Sequence, residues 1–231
     1  MYKAVISDLD GTLLSRGHHV TKFTKNVIKK IIKNEIKFYI ASGRSYDQIG
    51  YVTEQLEVKI PIIAANGARI FDEDGNMIYE KGLSSKAAKA ILGLDYENIA
   101  EGSHLNIFSG NDWIITKGTA QKVYDRISRD VKVDFKELPK NELENLDILK
   151  IFYIGNHEQL TNLEKAILKI TDDVNVIFVS DYCMEIMAKG ANKGAATKFL
   201  LEREGLELKD AVAFGDGEND FEMLTMVGKG F

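Results

Sequence analysis

Short apolar segments alternate with helical patterns at both ends of the chain, and this alternation constrains the fold more than any other feature. Residues 2–7 and 37–41 are apolar, rich in β-branched and aromatic side chains, and end at polar residues, which predicts buried strands. Helical periodicity follows each of them, at 21–35 and at 46–56. This order predicts parallel strands with right-handed crossovers, and therefore an α/β fold.

The first helical segment has an apolar side and a lysine-rich side. We interpret the lysines as a solvated helix face, because the formal net charge of −5 does not favour binding to nucleic acid. The residues on the apolar side are Phe23, Val27, Ile28, Ile31 and Ile32.

The middle of the chain mixes hairpins with helices. Residues 104–108 and 113–117 flank a Ser-Gly-Asn turn and predict a β-hairpin. The rest of this block alternates less regularly than the N-terminal part. The further predicted strands are 148–154, 174–179 and 183–187, and the predicted helices are 84–92, 119–129 and 158–170.

Beyond this block the first pattern returns. A helical segment at 192–204 precedes a short apolar strand at 211–214, which ends at a polar loop. The simplest interpretation is a Rossmann-like parallel-sheet core whose chain is interrupted by an inserted α+β domain. The predicted core parts are 1–82 and 188–231, and the predicted insertion is 83–187.

Composition is typical of a globular protein and restricts its partners. Hydrophobic residues make up 45% and charged residues 28% of the 231 positions. No apolar run approaches the roughly 18 residues that cross a bilayer, and acidic residues begin too early for a signal peptide. The single cysteine, Cys183, has apolar neighbours, which predicts an inert thiol and fits a reducing compartment. We expect a cytoplasmic protein that binds neither membranes nor nucleic acid.

Three acidic residues follow predicted strands. Asp8 and Asp10 come after the first strand, and Asp216 comes after the strand at 211–214. Ligands bind beyond the carboxyl ends of parallel strands, so these side chains are expected in one crevice. Carboxylates about 4 Å apart repel by about 4 kcal/mol per pair at an effective dielectric of about 20, so the cluster needs a cation or a proton. Oxygen ligands without a nearby His or Cys cluster favour Mg²⁺.

Several different roles for these polar residues fit the sequence less well. An Asp-rich turn without a metal is the plain alternative. A calcium-binding loop is excluded, because the positions that require Gly and Glu hold Leu13 and His19. No P-loop or dinucleotide fingerprint is present. Ser42 has no evident His partner, so Ser42-Gly43 is either a turn or a phosphate hydrogen-bond donor.

Four ordered motifs resemble those of the haloacid dehalogenase-like superfamily. The first and fourth are specific together, whereas the second and third are weak alone. The most similar branch is the Cof-type phosphatases, which carry a cap domain between the second and third motifs. The resemblance spans nearly the whole chain and includes the segment 66–68 ahead of the inserted block. The motifs are Asp8-Leu9-Asp10-Gly11-Thr12-Leu13-Leu14, Ala41-Ser42-Gly43-Arg44, Asn192-Lys193-Gly194 and Gly215-Asp216-Gly217-Glu218-Asn219-Asp220.

The resemblance implies a role for each motif residue. Asp8 would attack phosphorus, and Asp10 would protonate the leaving oxygen and later activate water. The carboxylates of Asp8 and Asp216, with the main-chain carbonyl of Asp10, would hold Mg²⁺. The residues implied in phosphate or substrate binding are Ser42, Gly43, Arg44, Lys193 and Asn219. The residues implied in support of these groups are Thr12, Asn66 and Asp220.

The implied activity is Mg²⁺-dependent hydrolysis of small phosphorylated metabolites, with sugar phosphates favoured, through an aspartyl-phosphate. Asp10 argues against a dehalogenase, because that branch generally lacks this aspartate. A phosphomutase of a related capped family and a non-catalytic phosphate- or metal-binding protein stay open as alternatives. The cap residues that are candidates for a substrate cleft, and equally for the core, are Tyr96, His104, Trp113 and Tyr182.

The sequence departs from the Cof-type pattern at its end. Such chains usually continue for some tens of residues, whereas this sequence stops at Phe231. We expect the core sheet to be incomplete or uncovered near this point. An open strand edge favours association, so a monomer or a weak homo-oligomer is expected.

Overall fold

The structure, a computed structural model, describes residues 2–119 and 135–231. The chain divides into two compact units. The core unit comprises Met1–Glu80 and Ala191–Phe231, and the inserted unit comprises Lys81–Gly190. The helix predicted at 119–129 lies outside the described residues, apart from Thr119 at its start.

Each unit is built around one β-sheet. The described strands, in chain order, are β1 (Ala4–Ser7), β2 (Lys37–Ala41), β3 (Ile62–Ala64), β4 (Arg69–Phe71), β5 (Met77–Glu80), β6 (His104–Ser109), β7 (Asp112–Thr116), β8 (Lys136–Leu138), β9 (Ile148–Ile154), β10 (Val174–Ser180), β11 (Cys183–Ala188), β12 (Ala211–Phe214) and β13 (Lys229–Gly230). The described helices are α1 (Lys22–Lys33), α2 (Tyr46–Leu56), α3 (Ser85–Leu92), α4 (Tyr96–Ile99), α5 (His157–Ile170), α6 (Lys193–Arg203) and α7 (Phe221–Met226).

Polar side chains determine where several helices begin. Thr21, Ser84, Asn156 and Asn192 precede α1, α3, α5 and α6, and each accepts a hydrogen bond from a backbone N–H of the first turn. Such caps satisfy donors that have no partner inside the helix.

The core sheet has seven strands in the order β13-β12-β1-β2-β3-β4-β5. The strands from β13 to β3 are parallel, and β4 and β5 continue the sheet as an antiparallel hairpin. Strand β1 lies between β2 and β12. The loops that follow these three strands therefore leave the sheet at the same edge.

Helices cover both faces of the core sheet. Along β2, Phe38 and Ile40 belong to one apolar cluster, while Tyr39 and Ala41 belong to another. The first cluster includes residues of α1 and α2, and the second includes residues of α6 and α7. This arrangement of helix, parallel sheet and helix is the predicted α/β architecture.

Helix α1 buries only part of its apolar side. Ile28 is fully buried and Ile31 packs against the core, but Phe23 is 77% exposed and Val27 is 41% exposed. Neighbouring elements therefore cover only part of the apolar side of α1. Periodicity identifies the apolar side of a helix but not the width of that side that the neighbouring elements cover.

The inserted unit has a six-stranded sheet in the order β10-β11-β9-β6-β7-β8. Its pairs are antiparallel except for β7 with β8. One face packs on α3 and α5, where Ile151 and Tyr153 share a core with Leu160 and Leu163. The sequence pattern did not predict β8, because this strand has three residues and two of them are charged.

Among the described residues, no helix combines the length and the apolar character that crossing a membrane requires.

Candidate active site

The first and fourth motifs meet because β1 and β12 are neighbours. Ser7 pairs with Phe214 in the parallel register, and the N–H of Asp8 donates a hydrogen bond to the carbonyl of Phe214 at 2.9 Å. Asp8 and Asp216 therefore leave the sheet side by side. The Oγ1 of Thr12 donates to Oδ1 of Asp216 at 2.9 Å, which joins the two loops directly.

Gly11 allows this close approach. Its φ of 86° lies in the left-handed region, which glycine adopts at little cost. A Cβ atom at this position would also overlap the carboxylate of Asp216. The glycine at position 11 thus allows the loop after β1 to lie against the loop that carries Asp216.

Three carboxylates lie close enough to share one cation. Asp8, Asp216 and Asp220 each offer an oxygen, and these oxygens all lie within 4.8 Å of one another. The strand pattern predicted the side chain of Asp10 as the third acidic group, whereas the structure brings in Asp220. Because hard oxygen ligands and mutual repulsion both favour a divalent cation, the residues present fit a divalent metal ion.

Lys193 is the first residue of α6 and lies next to this cluster. Its side chain is fully buried. Its Nζ donates to Oδ1 of Asp8 at 2.6 Å and to Oδ1 of Asp220 at 2.7 Å. The other oxygen of Asp220 accepts from the N–H groups of Asp216 and Gly217, at 3.2 and 3.0 Å. Asp220 therefore links the lysine to the loop that carries Asp216.

Asp8 is buried, with 5% of its surface exposed. Burial raises the pKa of Asp8 above its ordinary value, and the ammonium group of Lys193 acts in the opposite direction. The buried lysine is thus the main protein group that favours the ionised form of this carboxylate.

Ser42, predicted as a phosphate ligand, follows β2 and is 1% exposed. Its Oγ accepts a hydrogen bond from the N–H of Arg44 at 3.2 Å, so the hydroxyl hydrogen can donate to another acceptor. The carbonyl of Ser42 accepts from the N–H of Asn66 at 2.9 Å. Asn219 in turn donates from Nδ2 to Oδ1 of Asn66 at 2.9 Å, which connects the second and fourth motifs.

Gly43 lies against the same asparagine. A Cβ atom at Gly43 would be 3.0 Å from Oδ1 of Asn66, and Asn66 itself has a φ of 54°. Asparagine adopts this left-handed conformation more readily than most residues. The segment 65–67 therefore acts as a buried support for the second motif.

Asp10 and Arg44 form an ion pair. Arg44 donates from Nε to Oδ2 of Asp10 at 2.7 Å and from Nη2 to Oδ1 at 2.6 Å. Its Nη1 donates to the hydroxyl of Tyr51 at 2.9 Å. Nδ1 of His18 lies farther away, at 3.5 Å from Oδ1 of Asp10. The sequence did not predict this pairing.

The cap residues singled out from the sequence have different environments within the inserted unit. Tyr96 is buried and packs on Tyr153 with ring centroids 5.3 Å apart, so it belongs to the core of this unit. Tyr182 is 59% exposed. His104 is half-buried at the start of β6. Trp113 packs on aromatic rings of the sheet and donates from Nε1 to Oδ1 of Asn106 at 3.0 Å.

Cys183 is partly buried at the start of β11. Burial raises the pKa of its thiol to about 12. The thiolate is the reactive form of cysteine, so this environment favours the inert thiol that the sequence predicts.

Comparison with known proteins agrees with the geometry. Residues 5–231 match the family described as haloacid dehalogenase-like hydrolase. A protein of Buchnera aphidicola subsp. Baizongia pistaciae is 35% identical over 237 residues, covering 100% of this chain and 85% of its own. The HMP-PP phosphatase of Escherichia coli strain K12 is 28% identical over 236 residues, covering 100% of this chain and 84% of its own.

Solved structures show the same fold. The sugar phosphatase BT4131, of subclass IIB of this superfamily, superposes with a TM-score of 0.82 at 21% sequence identity, over 99% of this chain and 86% of its own. The family match extends over both parts of the core unit and over the inserted unit between them. The chain belongs to the haloacid dehalogenase-like hydrolases, within their Cof-type phosphatases.

Proposed function

We propose that this phosphatase is a Mg²⁺-dependent enzyme that hydrolyses small phosphorylated metabolites, with sugar phosphates as the favoured class, through an aspartyl-phosphate on Asp8. The observation that carries the proposal is the position of Asp8. Its carboxylate accepts a hydrogen bond from the ammonium group of Lys193 and has an oxygen within 4.8 Å of a carboxylate oxygen of Asp216. A nucleophile in this position contacts a fixed cation and also belongs to a candidate cation site.

The metal would be held by the carboxylates of Asp8 and Asp216 and by the main-chain carbonyl of Asp10. Asp220 is the less suitable ligand, because one of its oxygens is paired with Lys193 and the other accepts two backbone N–H groups. Bound Mg²⁺ supplies positive charge that offsets the repulsion between an anionic nucleophile and a phosphate ester.

Side chains of the protein carry out the bond-forming and proton-transfer steps. An oxygen of Asp8 forms a bond to phosphorus while the bond to the leaving oxygen breaks, and Asp10 gives its proton to that oxygen. Ser42 and Lys193 are the proposed donors to phosphoryl oxygens: Nζ of Lys193 contacts Asp8, and Ser42 is buried after β2, the strand next to β1. Asp10 then takes a proton from water, whose oxygen attacks phosphorus and releases the carboxylate of Asp8.

The proposed substrate class is inferred from the names of two relatives and from the side chains of the inserted unit. HMP-PP phosphatase and sugar phosphatase are the names of two relatives. We propose that the inserted unit selects the organic part of the substrate, in the manner of a cap. On its sheet face opposite α3 and α5, the half-buried rings of Phe108 and Trp113 are the side chains that can contact the organic part of a substrate.

Metal removal tests the proposal most directly. We expect turnover of a sugar phosphate to fall by at least about 100-fold after stripping with a chelator, because the charge of the acidic cluster is then uncompensated. Adding Mg²⁺ should restore the rate. Phosphate release measured before and after restoration checks this. Full turnover of the stripped protein in excess chelator would contradict the proposal.

A substitution at Asp10 tests its role as acid and base. We expect Asp10→Asn to slow an alkyl phosphate by about 10²–10⁴-fold, since a poor leaving group needs the proton. An aryl phosphate should lose much less in the first step, because its leaving group needs no proton. The phosphorylated protein should then accumulate, and intact mass spectrometry would detect it. Equal losses for both esters without an adduct would contradict the assignment.

A further inference from the structure

The loop that leads from the candidate site to α1 carries no negative side chain. No acidic residue lies between Asp10 and Glu35, although the whole chain has a formal net charge of −5. Arg16, His18 and His19 belong to the first part of this segment, and all three are exposed. This stretch of surface therefore favours an anionic ligand over a cationic one.

Hydrogen bonds hold the loop in a closed turn. The N–H of His18 donates to the carbonyl of Ser15 at 2.8 Å, and the N–H and Oγ of Ser15 donate to the carbonyl of His19 at 3.1 and 3.0 Å. Directly after the turn, the N–H of Val20 donates to Oε1 of Gln55 at 2.9 Å. Gln55 belongs to α2, so the turn is anchored to a helix of the core unit.

The turn places His18 next to Asp10. Nδ1 of His18 lies 3.5 Å from Oδ1 of Asp10, and the side chain of His18 is 71% exposed. Its φ of 53° is a conformation that residues other than glycine adopt at some cost. Arg44 contacts both oxygens of Asp10, so an anion beside this carboxylate does not meet an unpaired negative charge. An imidazole ring carries at least one N–H, which can donate to a ligand at this position.

We propose that His18 and Arg16 bind a second phosphate group on the leaving side of the substrate, which makes organic diphosphates better substrates than phosphate esters of alcohols. This inference rests on the proposed function, in which Asp10 gives its proton to the leaving oxygen. The atoms bonded to that oxygen must then lie near the side chain of Asp10, and therefore near His18.

A diphosphate brings its second phosphate to this position. An oxygen of Asp8 bonds to the terminal phosphorus, the bond from that phosphorus to the bridging oxygen breaks, and the organic phosphate leaves with the proton from Asp10. The bridging oxygen is also part of the second phosphate, whose other oxygens can therefore reach His18. Arg16, two residues earlier in the turn, has no ion-pair partner among the described residues, and a guanidinium group suits phosphate oxygens.

The test compares three substrates that each carry one aromatic ring, in excess Mg²⁺. Benzyl diphosphate has the second phosphate, benzyl phosphate lacks it and has a poor leaving group, and nitrophenyl phosphate lacks it and has a good leaving group. We expect Arg16→Gln and His18→Asn each to lower kcat/KM for benzyl diphosphate by about tenfold, mainly through KM. Both monophosphates should change by less than about threefold, because they offer these residues no second phosphate.

Inhibition provides a readout that needs no turnover of the diphosphate. Methylenediphosphonate should inhibit nitrophenyl phosphate hydrolysis about tenfold more weakly in each variant, whereas inhibition by inorganic phosphate should not change. Asparagine adopts the left-handed conformation readily, so His18→Asn should retain the turn. Arg16→Gln decides the question alone if that variant does not fold. Arg203→Gln removes an exposed arginine of α6 in the same unit and should leave all rates unchanged.

A different role for the loop predicts different results. If His18 only orients Asp10, benzyl phosphate loses the most activity, because its poor leaving group needs the proton. That pattern, equal losses for all three substrates, or no loss for benzyl diphosphate would overturn the inference. If the wild type hydrolyses the monophosphates and the variants discriminate against no substrate, only the inference fails. If the wild type hydrolyses none of the three substrates, the proposed function fails.

Discussion

Asp8→Asn is expected to lower the turnover of every phosphate ester by at least about 10⁴-fold. The amide cannot attack phosphorus, and the described neighbours in the buried cluster offer no replacement nucleophile of the same geometry. The loss should be independent of the leaving group, unlike that of Asp10→Asn. Phosphate release from an alkyl and an aryl ester, together with intact mass after mixing, measures both points.

The control for this substitution is Asp74→Asn, which removes an exposed carboxylate of the core unit that pairs with Lys59. Its rates should match those of the wild type. Thermal unfolding of Asp8→Asn should also show a folded protein, because the amide retains the size of the side chain and can still accept from Lys193. A phosphoryl adduct in Asp8→Asn would show that another residue is the nucleophile.

Lys193→Met is expected to have the largest effect on stability. The methionine leaves the buried carboxylates of Asp8 and Asp220 without their shared cation. Removing one partner of a buried ion pair costs about 3–5 kcal/mol of unfolding free energy. Activity should be lost as well, since the same ammonium group is proposed to bind the phosphoryl group. Denaturant unfolding followed by a rate measurement checks both effects.

A double substitution separates these two effects. In Lys193→Met combined with Asp220→Asn, one of the two unpaired charges is removed, so part of the lost stability should return. Turnover should not return, because the phosphoryl group still lacks its cation. The prediction would be contradicted if Lys193→Met had the same unfolding free energy as the wild type. That result would mean that the buried ion pairs contribute no stability.

The parts of the site that follow from strand order could be predicted from the sequence. Asp8 and Asp216 end apolar segments, and parallel strands bring such ends to one edge. Asp8 and Asp216 do lie together in the structure, because this prediction depends on the positions of strands and not on the orientations of side chains. The roles that the resemblance implies for Ser42 and Lys193 stay predictions.

The parts that could not be predicted depend on side-chain packing. A lysine at a helix start is usually solvated, and only the tertiary structure shows that Lys193 is buried between two carboxylates. The choice of Asp220 and not the Asp10 side chain in the acidic cluster, and the pairing of Asp10 with Arg44, likewise follow from rotamers. Rotamers of this kind have no signal in residue spacing.

The central position of β1 has a consequence for how the protein acquires activity during synthesis. Ala4 pairs with Lys37 on one side and with Ala211 on the other. The first pairing is local, whereas the second closes a loop that spans most of the chain, and such closure is slow and entropically costly. A growing chain therefore exposes Asp8 long before Lys193 and Asp216 exist to complete its surroundings. Activity is thus expected to arise in one late step of maturation, after the inserted unit has already been synthesised.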